Sequence, residues 1–197
     1  MSVPWLVVGL GNPESRYARN RHNIGRMVID LLVERTGATL SRHRTRARVA
    51  EVRLGLLPGG APGPRAVLAE PTAFMNVSGG PVRALTQFYG LGAERLLVIH
   101  DDIDLPEHTL RLKRGGGEGG HNGLRSVSQA LGTRDYARLR VGIGPPPGRQ
   151  DVADFVLTDL PPRSRAQWGV TLEQAADAVQ TVVLKGFEQA QAVLHAP

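Results

Sequence analysis

Residues 4–10 (PWLVVGL), followed directly by residues 11–13 (GNP), decide the fold class of this 197-residue chain. An apolar run without polar alternation is typical of a strand buried on both faces, and the Gly-Asn-Pro turn ends it. Residues 23–35 then repeat apolar side chains at helical spacing: Ile24, Met27, Val28, Leu31 and Leu32. A buried strand that leads into an amphipathic helix predicts an α/β protein.

The same alternation continues to the end of the chain. Strand-like runs recur in the second half of residues 41–53 and at residues 66–69, 96–99, 110–113 and 139–143. Helical patterns cover residues 78–89, 122–131, 163–184 and 187–194. Ser78 is the predicted cap of the first of these helices, and residues 57–64 (LPGGAPGP) predict a loop between antiparallel strands. We predict one domain over residues 1–197, an α/β fold with a twisted, mixed and mostly parallel sheet flanked by helices.

Composition narrows the classes of protein to which the chain can belong. Hydrophobic residues make up 41% and charged residues 21%, and no apolar run is long enough to span a bilayer. The start lacks the pattern of a signal peptide, and the absence of cysteine excludes disulfides and thiolate metal sites. We therefore expect a cytoplasmic protein without membrane contact.

The net charge of +6 favours a polyanionic partner, although general solubility explains it equally well. The cations are almost all arginines, since Lys113 and Lys185 are the only lysines.

Polar residues cluster directly after the predicted strands. Four segments have this placement: residues 9–13 (GLGNP), 74–76 (FMN), 100–104 (HDDID) and 115–123 (GGGEGGHNG). Ligand sites in open α/β sheets lie at the carboxyl ends of strands, so these segments are the candidate site.

A dinucleotide-binding turn is one alternative for the first segment, and the sequence argues against it. The G-x-G-x-x-G pattern needs a third glycine where Glu14 stands, and Pro13 lacks an N–H for a pyrophosphate. Asp30 falls at the count of a ribose-binding acid, but it lies inside the helical pattern.

A metal site is a second alternative, because His100, Asp101, Asp102 and Asp104 could together hold Mg²⁺ or Mn²⁺. If the segment stays extended, however, Asp101 points to the opposite face from His100 and Asp102. We therefore predict no metal.

A hydrolase built from this sequence must activate water directly, since it has no cysteine and no G-x-S-x-G motif. That chemistry needs a histidine base and a carboxylate that fixes its tautomer. Four of the six histidines are set aside: His43 and His108 in polar, exposed stretches, His195 at the chain end, and His100 as a buried structural residue. His22 and His121 remain, each beside a glycine-rich turn and each followed by asparagine.

An ordered set of motifs resembles the bacterial-type peptidyl-tRNA hydrolases over nearly the whole chain. The motifs are residues 7–25 (VVGLGNPESRYARNRHNIG), 71–79 (PTAFMNVSG), 100–106 (HDDIDLP), 115–126 (GGGEGGHNGLRS), 139–149 (LRVGIGPPPGR) and 154–157 (DFVL). The resemblance implies cleavage of the ester between a peptide and the 3′-terminal ribose of tRNA. It also implies an enzyme without cofactor or obligate protein partner, which we expect to be a monomer.

The resemblance also implies the catalytic roles. His22 matches the general base, and Asp101 matches the carboxylate that orients it, a choice among the three aspartates that the motif alone makes. Asn12, Asn76 and Asn122 match the pocket amides. We expect Asn76 or Asn12 to contact the oxyanion, and Asn122 to hold the peptide backbone or the water.

Further matches concern the substrate. Tyr17 and Met75 match residues that shape the cleft, with core packing as the alternative for Met75, and His121 matches a lining residue. Lys113 and Arg140 match a basic pair that clamps the tRNA 5′-phosphate. Two departures from the pattern stand out: Glu14 in place of a glycine, and Glu118, whose charge beside the cleft would disfavour phosphate.

Overall fold

The structure, a computed structural model, describes residues 2–197. Its strands are β1 (Trp5–Gly9), β2 (Ser41–His43), β3 (Ala47–Arg53), β4 (Arg65–Pro71), β5 (Leu96–Asp102), β6 (Leu110–Arg114) and β7 (Ala137–Gly142). Its α-helices are α1 (Ile24–Thr36), α2 (Gly79–Tyr89), α3 (Asn122–Leu131), α4 (Val152–Val156), α5 (Arg165–Lys185) and α6 (Phe187–His195). Within this range, no helix has both the length and the hydropathy that crossing a bilayer requires.

All of these strands form one sheet in the order β2-β3-β4-β1-β5-β7-β6. The central strands β4, β1, β5 and β7 run parallel, whereas β2, β3 and β6 pair antiparallel at the two edges. A parallel centre is covered on both faces, which explains why β1 and the start of β5 are apolar throughout. The predicted α/β fold with a mixed sheet is confirmed, and the parallel strands form its centre.

Helices cover the sheet in two layers. Trp5 and Val7 of β1 belong to the core shared with α1, α5 and α6, whereas Leu6 and Val8 belong to the core shared with α2 and α3. This division follows from the alternation of side chains along a strand.

Two glycines let α1 approach the sheet at backbone distance. A Cβ atom at Gly9 would lie 2.2 Å from the carbonyl oxygen of Gly25, and one at Gly25 would lie 2.2 Å from the carbonyl oxygen of Ile99. The first turn of α1 therefore rests directly on β1 and β5. The 3₁₀ turn Arg21–Asn23, which leads into α1, is held beside the end of β5 as a result.

Ser78 precedes α2 as predicted, but the prediction that it caps the helix was wrong. Its Oγ donates to the carbonyl oxygen of Met75 at 2.7 Å, and the N–H of Gly79 donates to Ser126 Oγ at 2.9 Å. A 3₁₀ turn runs directly into α2, so Ser78 has helical angles (φ −63°, ψ −23°) instead of the extended ones of a capping residue.

His43 and His108 lie in stretches with several exposed residues, as predicted, but their own side chains are not exposed. Both are half-buried, and Nδ1 of His108 lies 2.7 Å from Thr171 Oγ1. His195 has a structural contact as well, since its Nε2 accepts from the N–H of Leu112 at 3.0 Å. Leu112 lies on the edge strand β6, whose outward backbone groups need partners from outside the sheet.

Gly25→Ala should destabilise the fold by about 1–3 kcal/mol, the usual cost of overpacking, because the new Cβ meets backbone atoms that cannot rotate away. Gly169→Ala is the matched control, since a Cβ there has no neighbour within 4 Å and alanine favours the helix by roughly 0.5–1 kcal/mol. Urea denaturation measures both changes. Equal stability of the two variants would show that the close approach of α1 is not required.

Candidate active site

Polar side chains gather where three neighbouring strands end. Asn12 follows β1, Asn76 follows β4, and Asp101 lies at the end of β5. Because β4 and β5 flank β1 in parallel, their carboxyl ends meet at one edge of the sheet, where ligands bind in open α/β folds. A cleft of about 320 Å³ opens there. Its lining comprises His22, residues 100–103, residues 118–122, Asp151, Val152, Ala153 and Val156.

The carboxylate of Asp101 lies at the centre of this cleft. Nδ1 of His22 is 3.0 Å from Oδ1 and 2.9 Å from Oδ2 of Asp101, and Nε2 of His121 is 2.9 Å from Oδ1. Asp101 is only 3% exposed, so these two rings are its principal polar partners. The structure thus brings together three residues that the sequence placed in the candidate site.

Hydrogen bonds to the backbone assign the tautomer of His121. Its Nδ1 accepts from the N–H groups of Gly123 at 3.1 Å and Leu124 at 3.2 Å, and the ring thereby caps α3. A ring that accepts through Nδ1 carries its proton on Nε2, which donates to Asp101. Asp101 likewise accepts from Nδ1–H of His22, which leaves Nε2 of a neutral His22 with a free lone pair.

Electrostatics set the charge states of the site. Burial alone would raise the pKa of Asp101, but the adjacent His22 and His121 hold that pKa well below its usual range. Burial lowers the pKa of His22, yet the charge and the hydrogen bond of Asp101 outweigh it and raise the pKa above the ordinary value. Burial and the neighbouring His121 lower the pKa of His100 to about 3. His100 is therefore neutral, and its prediction as a buried residue is confirmed.

The backbone N–H, the backbone carbonyl oxygen and the side-chain Oδ1 of Asn12 all form hydrogen bonds. Its N–H donates to Asn23 Oδ1 at 2.9 Å, and its carbonyl oxygen accepts from Asn23 Nδ2 at 2.9 Å and from Arg26 Nη1 at 2.7 Å. Its Oδ1 accepts from the N–H of Met75 at 2.8 Å. Because Oδ1 is engaged by Met75, the Nδ2 group is the part of the Asn12 amide that can donate to a ligand, although Asn12 is buried and, like Asn76, is not among the residues that line the cleft.

A buried ion pair lies behind Asn12, and the sequence analysis missed it. Nη2 of Arg26 is 2.8 Å from Oε2 of Glu70, which is only 1% exposed. Oε1 of Glu70 has no hydrogen-bond partner of its own. Burial and the Glu70 carboxylate raise the pKa of Asp30 to about 7. A charged residue inside the buried strand β4 was the signal for this cluster.

The remaining predicted pocket residues occupy different surroundings. Asn122 is exposed and lines the cleft, whereas Asn76 is exposed but lies outside the lining. Tyr17 is half-buried and also outside the lining. Met75 is 4% exposed and packs in the core with residues of β1 and α3, which favours core packing over cleft shaping.

Lys113 and Arg140 lie on the neighbouring strands β6 and β7. Lys113 is opposite Arg138, and Arg111 is opposite Arg140. Residues directly opposite each other share a face, but Arg138 is only 1% exposed and its guanidinium donates to backbone carbonyls. The accessible row, the basic face, therefore consists of Arg111, Lys113 and Arg140. Nε of Arg140 donates to Asp102 Oδ2 at 2.8 Å, and Asp102 lines the cleft. The basic face therefore begins at the rim of the cleft.

Helix α4 forms one side of the cleft and was not predicted. Asp151 caps it, accepting from the N–H of Ala153 at 2.8 Å. Five residues are too few to show helical periodicity, so only the capping aspartate could have revealed it. Glu118 also lines the cleft, but Nε of Arg134 lies 2.9 Å from its Oε1 and compensates its charge.

The metal cluster that the sequence allowed is not formed. Asp102 accepts from Arg140 and, at 2.8 Å, from the N–H of Asp104, so the acidic residues do not converge. A different set does converge, since ligand atoms of His22, Asp101 and His121 all lie within 4.8 Å of one another.

The sheet, with an acid–base cleft at the carboxyl ends of its parallel strands, defines an α/β enzyme. Comparisons with known proteins identify its family. The family model of peptidyl-tRNA hydrolase matches residues 6–197. A peptidyl-tRNA hydrolase of Kineococcus radiotolerans is 60% identical over 197 residues, which cover 100% of both chains. One of Frankia casuarinae is 58% identical over 193 residues, covering 98% of this chain and 94% of that one.

Solved structures agree with this result. The crystal structure of peptidyl-tRNA hydrolase from Acinetobacter baumannii matches with a TM-score of 0.82 at 33% identity, covering 100% of this chain and 96% of that one. This chain belongs to the peptidyl-tRNA hydrolase family and is a hydrolase. The resemblance predicted from the motifs is confirmed.

Proposed function

We propose that this chain hydrolyses the ester between the peptide's C-terminal carbonyl and the 3′-terminal ribose of tRNA, using water activated by His22 and Asp101. The observation that carries this proposal is the contact of the Asp101 carboxylate with Nδ1 of His22, at 2.9 Å. We infer peptidyl-tRNA as the substrate from the family. The family model and a relative that aligns with the full chain are both named peptidyl-tRNA hydrolase.

The chemistry follows from the tautomers and charges. Neutral His22 takes a proton from water through Nε2, and the resulting hydroxide attacks the ester carbonyl. Asp101 stabilises the imidazolium that forms, because it is ionised and buried against the ring. When the tetrahedral intermediate collapses, the C–O bond to ribose breaks and the imidazolium returns the proton to the leaving oxygen.

Asparagine amides stabilise the oxyanion without adding charge. Of the two predicted donors we choose Asn12, because the N–H of Met75 binds its Oδ1 and thereby fixes the orientation of its amide. Asn122, which lines the cleft, and the exposed Asn76 are assigned to the peptide backbone of the substrate. Amides that pair with a peptide bond favour N-acylated substrates over free aminoacyl-tRNA, since the latter leaves them unpaired.

The basic face takes the tRNA. Lys113 and Arg140 hold the 5′-phosphate, and phosphate contacts of this kind position a nucleic acid without reading its sequence. The family resemblance is the basis for proposing a monomer that needs no protein partner. Its substrate belongs to translation, so we place the enzyme in the cytoplasm.

A metal-dependent hydrolysis is the second candidate, favoured by the spacing of His22, Asp101 and His121. A metal at these atoms would have to replace the contacts of both rings with Asp101. Nδ1 of His121 is also committed to the start of α3. These hydrogen bonds support the metal-independent reaction.

His22→Ala should lower kcat by about 10²–10⁴-fold, the contribution of a general base, while the fold stays intact. The assay is release of labelled N-acyl amino acid from N-acyl-tRNA, with unblocked aminoacyl-tRNA in parallel. His43→Ala is the control, since His43 lies on the edge strand β2 away from the cleft and should turn over normally.

Near-normal turnover of a folded His22→Ala variant would contradict the assignment of His22 as the general base. Excess EDTA, with the tRNA kept folded by monovalent salt, tests the second candidate in the same assay. Activity that disappears with EDTA and returns with a divalent ion would replace the His22–Asp101 mechanism by a metal-dependent one.

The pH profile of kcat/KM should have its acid limb above pH 6.5, since the free enzyme must hold His22 neutral and its pKa is raised. Activity is then lost as pH falls through that value. Asp101→Asn removes the charge that raises the pKa and leaves the burial that lowers it. The limb should therefore move to lower pH while kcat drops.

Asp135→Asn, at an exposed position, should leave both the limb and kcat unchanged. An acid limb that stays in place in Asp101→Asn would show that it does not report His22.

Replacing Lys113 and Arg140 together by alanine should weaken tRNA binding and reduce the slope of log K against log salt by about 1 per lost cation. The loss should occur with 5′-phosphorylated tRNA and be much smaller with 5′-hydroxyl tRNA. Binding titrations over a salt series measure both.

Lys185→Ala with Arg163→Ala removes two exposed cations elsewhere and is the matched control. A clamp variant with an unchanged salt slope, or with equal losses on both tRNAs, would contradict the assignment of the 5′-phosphate.

A further inference from the structure

The orientation of the Asn12 amide depends on where its backbone is held. Asn12 belongs to the turn after β1, which has no helical or sheet hydrogen bonds of its own at this residue. Its N–H and its carbonyl oxygen are both taken by the side chain of Asn23, at 2.9 Å each. Asn23 directly follows His22, so the general base and the amide donor are held by one segment.

Arg26 adds a contact that Asn23 cannot supply. Its guanidinium spans two elements, donating through Nη1 to the Asn12 carbonyl oxygen at 2.7 Å and through Nη2 to Glu70 at 2.8 Å. The planar fork of arginine fixes the angle between these two acceptors, which a lysine could not do. Gly11 allows the approach, because a Cβ there would lie 2.4 Å from Cδ of Arg26.

Glu70 is well placed to anchor this fork. It is near the end of β4, a few residues before the segment that carries Met75 and Asn76. Met75 in turn donates its N–H to Asn12 Oδ1. The ion pair thus links α1, the end of β4 and the turn after β1, the three elements that surround the Asn12 amide.

Burial indicates that the pair has a role beyond surface stability. Side-chain exposure is 13% for Arg26 and 1% for Glu70. Taking two charges out of water is costly, and a buried ion pair is often no more stable than apolar side chains of the same volume. Arg35, on the same helix, shows the ordinary case: its ion pairs with Glu173 and Asp177 lie at the surface.

We propose that Arg26 and Glu70 are a positioning pair for the reaction, which aims the Nδ2 hydrogens of Asn12 at the oxyanion. This inference rests on the proposed function, because it takes Asn12 as the oxyanion donor. The pair does not touch the substrate. Its effect is therefore on the transition state, where the oxyanion exists, and not on binding of the ground state.

Arg26→Met removes both hydrogen bonds while keeping most of the side-chain volume. We expect kcat to fall by roughly 10–100-fold, the range that a misplacement near 1 Å can cause, with KM changed by less than about twofold. The acid limb of the pH profile should stay at its wild-type position, because the contact between His22 and Asp101 is untouched.

Arg26→Lys should recover only part of kcat, since one ammonium group cannot hold both acceptors in the geometry of the fork. Arg35→Met is the matched control from the same helix, and we expect it to lower thermal stability without a change in kcat. If Arg26→Met does not fold, Glu70→Gln and Arg26→Lys provide the same test, with a smaller expected loss of kcat.

A double-mutant cycle with Asn12→Ala decides whether Arg26 acts through Asn12. Without the amide, Arg26→Met should cause no further loss of kcat. Additive losses, a shifted acid limb, or a folded Arg26→Met variant with wild-type kcat would overturn the positioning role. If Asn12→Ala keeps full kcat, the oxyanion role of Asn12 fails and this inference with it, whereas the His22 variant still tests the hydrolase itself.

Discussion

The contact of α1 with the backbone of β1 and β5 is the constraint on which the site depends. Helices normally pack on sheets through side chains, but Gly9 and Gly25 remove them at this point, and a Cβ on either would lie 2.2 Å from a carbonyl oxygen. The first turn of α1 consequently lies within reach of the end of β5. His22, just before this turn, meets Asp101, two residues beyond Ile99, as a direct result.

The buried carboxylate of Asp101 needs hydrogen-bond donors, and two histidines supply them. A buried carboxylate is costly unless it is paired or hydrogen-bonded, and Asp101 accepts hydrogen bonds from both His22 and His121. The two rings are not equivalent. His121 is held by the start of α3 through its other nitrogen, whereas the Nε2 of His22 stays free. One ring therefore completes the pocket and the other can exchange a proton.

Sequence patterns predicted the features that depend on the spacing of nearby residues. They missed the contacts that depend on the order of the strands in the sheet. The bounds of α3, residues 122–131, were predicted correctly, because its apolar spacing and its preceding glycines are contiguous. The pairing of His22 with Asp101 joins positions 79 residues apart, and only the family motif selected Asp101 among three aspartates. Glu70 gave a signal of its own, a charge inside the buried strand β4, but nothing in the sequence paired it with Arg26, which lies 44 residues away.

The adjacent acids of the HDDID segment connect the proposed site of ester hydrolysis to the proposed phosphate contact. Asp101 faces His22, and Asp102 binds Arg140, the cation at the start of the basic face. Because the two acids are neighbours on β5, the backbone fixes the distance between the His22–Asp101 pair and Arg140, the proposed phosphate ligand. The 3′ ester and the 5′-phosphate both lie at the acceptor end of tRNA. Strand β5 can thus position the residues proposed to bind these two groups relative to each other, without any contact that depends on tRNA sequence.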